Sequence, residues 1–185
     1  MGHLTFEETG VSGVTVVQKS KLGDNRGHLS RMFCGRELAD VGWVGEVAQI
    51  NHTLTRKRGT VRGMHFQLYP HQETKIVQCL RGAVLDVAVD LRRGSPTFLK
   101  WTAVELSSEN WRSLYIPEGC AHGFQTLTDD VEMLYFHSEY YAPGDERGVS
   151  ATDPDMSIEW PLPIVEMSER DKELPSLNEV LGVDP

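Results

Sequence analysis

Three side chains suited to acid–base chemistry follow one another in the middle of the chain: His65, Lys75 and Asp86. A histidine is the side chain best suited to removing a proton near neutral pH, and a carboxylate beside it would orient the ring and stabilise its charged form. We predict that the three lie on neighbouring strands and that Asp86 contacts His65. Because burying them together with Arg62 is costly without a polar ligand or a complete network, the group predicts a binding site.

The segments around these residues are typical of β-strands. In residues 83–91, Val84, Asp86, Ala88 and Asp90 share one face by the period of two, and the apolar residues between them share the other. Turn residues recur about every ten positions, which favours a sandwich or barrel. The predicted strands cover residues 14–17, 28–33, 46–53, 60–67, 75–80, 83–91, 99–106, 111–116, 122–127 and 131–137, with short helices near 36–41 and 168–173.

The run Pro117-x-Gly119-x-x-His122 resembles the second sequence box of the cupin superfamily, whose fold is a double-stranded β-helix. In metal-binding cupins this histidine is a ligand, and the first box supplies His-x-His and a glutamate. Here Gln67 replaces the second histidine of that box, and the ammonium group of Lys75 disfavours a cation. We predict an all-β, cupin-type double-stranded β-helix (jelly roll) with short peripheral helices, no metal and no cofactor.

Over nearly its whole length the chain resembles the dTDP-4-dehydrorhamnose 3,5-epimerase family, a metal-free branch of the cupins. The matching runs keep their order and spacing along the sequence. They are Asp24-x-Arg26-Gly27, Gln49-x-Asn51, Arg62-Gly63-Met64-His65-x-Gln67, Lys75-x-Val77, Gly82-x-x-x-Asp86-Val87-x-Val89-Asp90-Leu91-Arg92, Gly94-Ser95-Pro96-Thr97-Phe98, Ile116-Pro117-Glu118-Gly119-x-Ala121-His122-Gly123-Phe124, Tyr140-Tyr141-x-Pro143, Glu146-Arg147-Gly148, Asp153-Pro154 and Ile158-x-Trp160-Pro161.

This resemblance implies a catalytic set. The family's His–Asp base maps to His65 and Asp86, its enolate-stabilising lysine to Lys75, and its tyrosine across the sugar ring to Tyr135. The set suits a C–H group beside a ketone, because a cation or donor at the ketone oxygen stabilises the charge that develops there. Inversion then needs a proton removed from one face and another delivered to the opposite face.

The resemblance also implies that arginines and amides grip a nucleotide diphosphate, a task to which the planar guanidinium group is suited. His122 corresponds to an active-site histidine that contacts the sugar or lies behind such a contact. The predicted substrate-binding residues are Arg26, Arg31, Gln49, Asn51, Arg62, Gln67 and His122.

The sequence departs from the family pattern at three positions. Arg31 stands where the family has an acidic residue, contributed by the partner subunit near the nucleotide. Phe136 replaces the lysine that normally follows the tyrosine, and Cys120 replaces a phenylalanine before Ala-His-Gly. These changes keep the proton-transfer set and leave open the nucleotide, the sugar, and whether C3, C5 or both are inverted.

The predicted function is therefore a cofactor-independent epimerase that inverts C3, C5 or both in a nucleotide-linked 4-keto-6-deoxyhexose of the dTDP-4-dehydro-6-deoxyglucose type, in deoxysugar biosynthesis. A 3,4-ketoisomerase of the same sugars would use the same acid and base. Two further hypotheses stay open at this point: a non-catalytic cupin that binds sugar nucleotides, and a metal-dependent cupin oxygenase.

Bulk properties set the remaining expectations. The 185 residues predict one domain, spanning 1–185, and the net charge of −9 argues against nucleic-acid or acidic-membrane binding. Three cysteines without a CxxC pattern, no signal peptide and no apolar run long enough to span a bilayer predict a cytoplasmic protein. The family resemblance implies a homodimer with exchange of N-terminal strands.

Overall fold

Two antiparallel sheets pack face to face in the computed structural model, which describes residues 3–182. The larger sheet has the strand order β1-β2-β10-β7-β12-β5, and the smaller has the order β13-β6-β11-β8-β9. A separate hairpin, β3-β4, stands apart from both. The prediction of an all-β, cupin-type jelly roll is confirmed.

The strands are short, as is usual for such a fold. They are β1 (Leu4–Glu8), β2 (Thr15–Lys19), β3 (Lys21–Asp24), β4 (Gly27–Ser30), β5 (Gln49–Thr55), β6 (Val61–Gln67), β7 (Lys75–Arg81), β8 (Ala83–Asp90), β9 (Trp101–Ser107), β10 (Arg112–Ile116), β11 (Cys120–Thr126), β12 (Val131–His137) and β13 (Glu146–Gly148). The helices are α1 (Gly35–Leu38), α2 (Glu169–Lys172) and α3 (Leu177–Gly182), and a 3-10 turn covers Ala39–Val41.

The main core lies between the sheets and comes from alternate residues of both. Val84 and Ala88 of β8 join Phe124 and Met133 in this core, while Val87 belongs to a second cluster on the outer face of the smaller sheet. The predicted division of β8 into two faces is therefore confirmed.

The second cluster attaches the C-terminal segment to that outer face. Met64 and Phe66 of β6 pack in it with Val149, Ala151 and Leu177, which come from the segment after β12. This segment therefore docks on the strand that carries His65, and it brings α2 to the same place.

Most predicted strands are observed, with ends shifted by a few residues. The prediction that His65, Lys75 and Asp86 lie on neighbouring strands is wrong. Strand β11 lies between β6 and β8, and β7 belongs to the other sheet. His65, Lys75 and Asp86 thus come from strands that do not pair, because successive strands of the jelly roll cross between sheets. Four short elements, β1, β3, β13 and α3, were not predicted, since they carry little periodic signal of their own.

One buried carboxylate closes the end of β8. Asp90 accepts hydrogen bonds from Arg92 Nε at 2.8 Å, from Ser95 Oγ at 2.5 Å and from Thr97 Oγ1 at 2.7 Å. Burial alone would raise its pKa, but these bonds outweigh burial and lower the pKa to about 2. Asp90 thereby anchors the loop between β8 and β9.

We expect Asp90→Asn to lower the free energy of unfolding by about 1–2 kcal/mol at pH 7. Because the native pKa lies below the ordinary value of 3.8, this contribution is present above about pH 4 and is lost as the pH falls towards 2. Urea unfolding at pH 7 and pH 2.5 measures it, with exposed Asp40→Asn as the control. A deficit of equal size at both pH values would contradict this account.

Candidate active site

A cavity of about 340 Å³ opens between the two sheets and the docked C-terminal segment. Most of the residues that line it are polar, and it brings together seven of the residues singled out from the sequence. Those seven are His65, Lys75, Tyr135, Gln49, Asn51, Arg62 and His122.

His65 forms a close pair with a carboxylate that the sequence analysis missed. Asp171 Oδ1 lies 2.9 Å from His65 Nε2, and the backbone N–H of Gly63 donates to Asp171 Oδ2 at 3.2 Å. A charged carboxylate only accepts hydrogen bonds, so Nε2 carries the proton and Nδ1 is left as the basic nitrogen. Burial would raise the pKa of Asp171, but the His65 and Gly63 contacts outweigh it and hold the pKa below its ordinary value.

Asp171 is placed by a short helix that begins at a capping serine. Ser168 Oγ accepts a hydrogen bond from the backbone N–H of Asp171 at 3.0 Å, which is the usual N-cap geometry. The short helix near residues 168–173 was predicted, but its side-chain role was not. Nothing in the local sequence indicates that this segment docks beside β6.

The prediction that Asp86 orients His65 is wrong. Asp86 Oδ1 instead lies 2.9 Å from His122 Nε2, and both side chains are buried. The reason is topological: β11, which carries His122, runs between β6 and β8. Burial raises the pKa of Asp86 despite His122, and its Oδ2 has no hydrogen-bond partner among the described residues.

Close contact between two glycines lets β6 and β11 approach beside these histidines. Gly63 has a φ of 114°, and a Cβ atom there would lie 2.6 Å from Gly123 Cα. Any side chain at position 63 would therefore push apart the strands that carry His65 and His122.

Tyr135 enters the cavity from β12, in the sheet opposite the one that carries His65. Burial raises the pKa of its phenol well above the ordinary value, so the group stays protonated throughout the neutral range. Its ring lies edge-on to His122, with the centroids 6.2 Å apart. The cavity therefore presents a base and a protonated acid from different walls.

Lys75 is held by Glu73, which is held in turn by His137, and neither of these two cavity residues was singled out from the sequence. Its Nζ lies 2.8 Å from Glu73 Oε1, and Glu73 Oε2 lies 2.7 Å from His137 Nδ1. Burial favours a higher pKa for Glu73, but the contacts with His137 and Lys75 prevail and lower it. No local pattern marks Glu73 or His137, because each resembles an ordinary residue at a strand end.

Arginine and amide groups line the rest of the cavity. Gln49 and Asn51 stand on β5, with Gln49 Nε2 donating to Asn51 Oδ1 at 3.1 Å. The Nε of Arg62 donates to Thr55 Oγ1 at 2.9 Å. At the rim, the Tyr141 hydroxyl donates to Glu146 Oε2 at 2.6 Å, and Arg170 pairs with the same carboxylate.

A family model described as dTDP-4-dehydrorhamnose 3,5-epimerase matches residues 8–179. The chain belongs to this family. Among curated relatives it is 41% identical to the dTDP-4-dehydrorhamnose 3,5-epimerase of Sinorhizobium fredii, over 97% of this chain and 93% of the relative. It is also 42% identical to the enzyme of the same name from Streptomyces griseus, over 92% of this chain and 85% of the relative.

Solved structures of the epimerase family agree with this assignment. The Bacillus anthracis dTDP-4-dehydrorhamnose 3,5-epimerase with TDP and pyrophosphate bound superposes with a TM-score of 0.90 at 36% identity, covering 94% of this chain and 99% of that one. The 3'-monoepimerase ChmJ of Streptomyces bikiniensis, in complex with dTDP-quinovose, gives 0.87 at 35% identity, covering 95% and 90%. The structures similar to this chain thus include one named as a 3,5-epimerase and one named as a 3'-monoepimerase.

Three residues expected at the epimerase's substrate do not line this cavity. Gln67 uses its side chain to hold two loops, donating to the carbonyls of His71 and Tyr140 and accepting from the N–H of Ala142. Arg26 lies on the exposed β3-β4 hairpin, where it pairs with Asp24. Arg31 pairs with Glu37 next to α1.

The departures Phe136 and Cys120 are both apolar and buried. Phe136 stacks on Phe33 with the ring centroids 5.3 Å apart, and Cys120 packs in the main core. Neither side chain lines the cavity, so these two changes affect packing around the epimerase site rather than its polar lining.

The structure of residues 3–182 also bears on metal binding and on membrane insertion. Within that range, no three His, Cys, Asp or Glu side chains are grouped so that they could hold a metal ion. None of the helices in that range has both the length and the apolar character needed to cross a membrane.

Proposed function

We propose that the protein is a cofactor-independent epimerase of a nucleotide-linked 4-keto-6-deoxyhexose, of the dTDP-4-dehydro-6-deoxyglucose type. The observation that carries this proposal is one cavity with the His65–Asp171 pair on one wall, Tyr135 on another, and Lys75 between the same sheets. The family membership and the nucleotide-bound neighbours support the substrate class.

The first step is removal of a proton from the carbon beside the ketone. Nδ1 of neutral His65 accepts that proton, and the electron pair of the broken C–H bond moves onto the ketone oxygen to form an enolate. Asp171 fixes the tautomer and stabilises the imidazolium that results, as a carboxylate does behind other catalytic histidines. The lowered pKa of Asp171 keeps it charged for this purpose.

The enolate needs a positive group that is already in place when the charge develops. The ammonium group of Lys75 serves this purpose, and its burial strengthens its electrostatic interactions. The Lys75 side chain is 9% exposed, and its contact with Glu73 does not use all three N–H donors of the ammonium group. The enolate oxygen therefore takes one of the remaining N–H donors.

The second proton comes from the opposite face of the sugar. Tyr135 is a suitable donor because burial raises its pKa and keeps the phenol protonated until a carbanion is presented to it. Donation from Tyr135 converts the enolate back to the ketone with inverted configuration. After product release the imidazolium of His65 gives its proton to solvent, and the phenolate of Tyr135 takes one from solvent.

The diphosphate is bound by Arg62 together with the amides of Gln49 and Asn51, which line the same cavity. Arg62 supplies a charged planar donor, and the two amides supply neutral N–H groups. The half-exposed ring of Tyr141 lies at the mouth, where it can cover the nucleoside.

We further propose that two copies of the chain associate and that Arg26 of each serves the other's cavity. The β3-β4 hairpin pairs with neither large sheet, and the side chain of Arg26 is 90% exposed at its tip. Ile50 and Leu54 are exposed on the edge strand β5, which suits a partner surface.

Three free cysteines fit a reducing compartment, and we infer a cytoplasmic location.

Deuterium exchange tests the two-face mechanism. In D₂O with dTDP-4-keto-6-deoxyglucose, the native protein should place deuterium at each carbon that it inverts. Tyr135→Phe should still exchange that hydrogen but return it to the same face, giving exchange without inversion, and His65→Asn should abolish both. NMR of the products measures this and also detects a moved ketone, which would instead identify a ketoisomerase. No exchange with any 4-keto sugar nucleotide would contradict the proposal.

The pairing of His65 predicts unequal effects for two buried aspartates. Asp171→Asn should lower kcat about 10³-fold or more, because an asparagine that donates to Nε2 moves the ring proton to Nδ1 and removes the base. Asp86→Asn should cost much less, since Asp86 contacts His122. Steady-state turnover measures both, with melting temperature as the check on folding. Equal losses would show that the two pairs act as one unit.

Mixing two defective variants tests the exchange of Arg26. A mixed dimer of Arg26→Ala and His65→Asn contains one complete site if Arg26 acts across the interface. After exchange of subunits, a 1:1 mixture should reach roughly a quarter of native kcat/KM by the statistics of a two-fold dimer. If Arg26 instead served its own chain, mixing would add nothing to the two activities measured separately.

A further inference from the structure

We propose that Glu73 and His137 are positioning residues that tie Lys75 to the amides of Gln49 and Asn51 through one directional chain of hydrogen bonds. The proposal rests on the proposed function, since it assigns the two ends to the enolate and the diphosphate. It identifies how the binding end and the reacting end of the cavity are mechanically linked.

The direction of the chain is fixed at its first end by a backbone group. The N–H of Tyr141 donates to Gln49 Oε1 at 3.1 Å, so the other terminal atom of Gln49 is its amino group. That group donates to Asn51 Oδ1 at 3.1 Å, and the amino group of Asn51 then points to His137 Nε2 at 3.4 Å. Because an amide nitrogen only donates, His137 Nε2 must be an unprotonated acceptor.

The other end fixes the same direction independently. The ammonium group of Lys75 only donates, and it lies 2.8 Å from Glu73 Oε1. Glu73 Oε2 accepts from His137 Nδ1 at 2.7 Å. Both ends therefore require one state of His137: neutral, with the proton on Nδ1.

The surroundings of His137 favour this single state. The side chains of Glu73 and Lys75 are each 9% exposed and that of His137 is 11% exposed, so water competes little with these bonds. The charged and titratable groups that face the ring are Glu73, Lys75 and Tyr135. Lys75 lies opposite His137 on β7, and Tyr135 of β12 stacks on the His137 ring with the ring centroids 6.1 Å apart. The neutral amide of Asn51 faces it from β5.

The hydrogen-bond chain determines which amide groups face a ligand in the cavity. The carbonyl oxygens of Gln49 and Asn51 are both occupied within the chain, so each amide keeps one N–H for the cavity. An unanchored asparagine can exchange its oxygen and nitrogen by a half-turn, and an oxygen facing a phosphate would repel it. His137 prevents this half-turn in Asn51, and Glu73 fixes His137 and Lys75 together.

The protonation state of His137 can be observed directly in the native protein. Long-range ¹H–¹⁵N spectra distinguish the two neutral tautomers and the imidazolium, and His137→Phe identifies the signal by its loss. We expect the Nδ1–H tautomer at neutral pH, unchanged on addition of dTDP. An Nε2–H tautomer or an imidazolium would overturn the proposal, and neither result depends on turnover.

Binding and turnover should then separate the two positioning residues. His137→Phe should weaken dTDP binding about tenfold by calorimetry, because Asn51 loses its orientation. Glu73→Gln should lower kcat about tenfold with a smaller change in KM, because one amide cannot accept from both Lys75 and His137.

A control pair lies at the far end of the same two strands. Arg56, which follows β5, pairs with Asp130, which precedes β12, at 3.2 Å and outside the cavity. Arg56→Gln and Asp130→Asn should leave dTDP affinity and kcat unchanged. If the cavity variants behaved like these controls, with the native fold retained, Glu73 and His137 would have no positioning role. If the variants changed dTDP affinity as expected but the native protein showed no turnover, the result would count against the epimerase function and not against the hydrogen-bond chain.

Discussion

The hydrogen bond between His65 and Asp171 joins residues that are 106 positions apart, and the site depends on it. The C-terminal segment must therefore be docked before the base is complete. Backbone bonds from Val61 to Glu166 and from Val165 to Gly59 lead the segment onto β6, and the outer apolar cluster holds it there. Packing on the outside of the smaller sheet thus sets the chemistry of a histidine that faces the inside.

Among the carboxylate–histidine pairs that bring a histidine to the cavity, those of Asp171 and Asp86 have different environments. Asp171 receives a backbone N–H as well as His65, and its pKa is lowered. Asp86 is fully buried, one of its oxygens has no hydrogen-bond partner within residues 3–182, and its pKa is raised. Two carboxyl groups whose pKa values are shifted in opposite directions are suited to different roles. Asp171 is a charged partner for the base, and Asp86 supports His122 from inside the protein.

The sequence could predict the fold, because strand periodicity and turn chemistry are local. The family resemblance points to seven polar residues that the jelly roll brings together in the cavity, and all of them except Tyr135 stand in the matching motif runs. They are His65, Lys75, Tyr135, Gln49, Asn51, Arg62 and His122. The partner of His65 could not be predicted, since it depends on which strand lies between two others and on where an irregular tail docks. Glu73 and His137 could not be predicted for a related reason. Their role depends on the contact between them, which joins two strands that the sequence does not show to be adjacent.

Charge balance explains how a chain of net charge −9 can bind a dianionic ligand. Two of the cations that line the cavity are already neutralised, Lys75 by Glu73 and Arg170 by Glu146. Across residues 3–182, Arg62 shows no ion pair with a carboxylate and bonds instead to the neutral Thr55. In the proposed mechanism its full charge is therefore available to the diphosphate, and the paired Lys75 responds to the smaller charge that develops on the enolate. The proposal thus assigns affinity for the nucleotide and stabilisation of the reacting sugar to different cations.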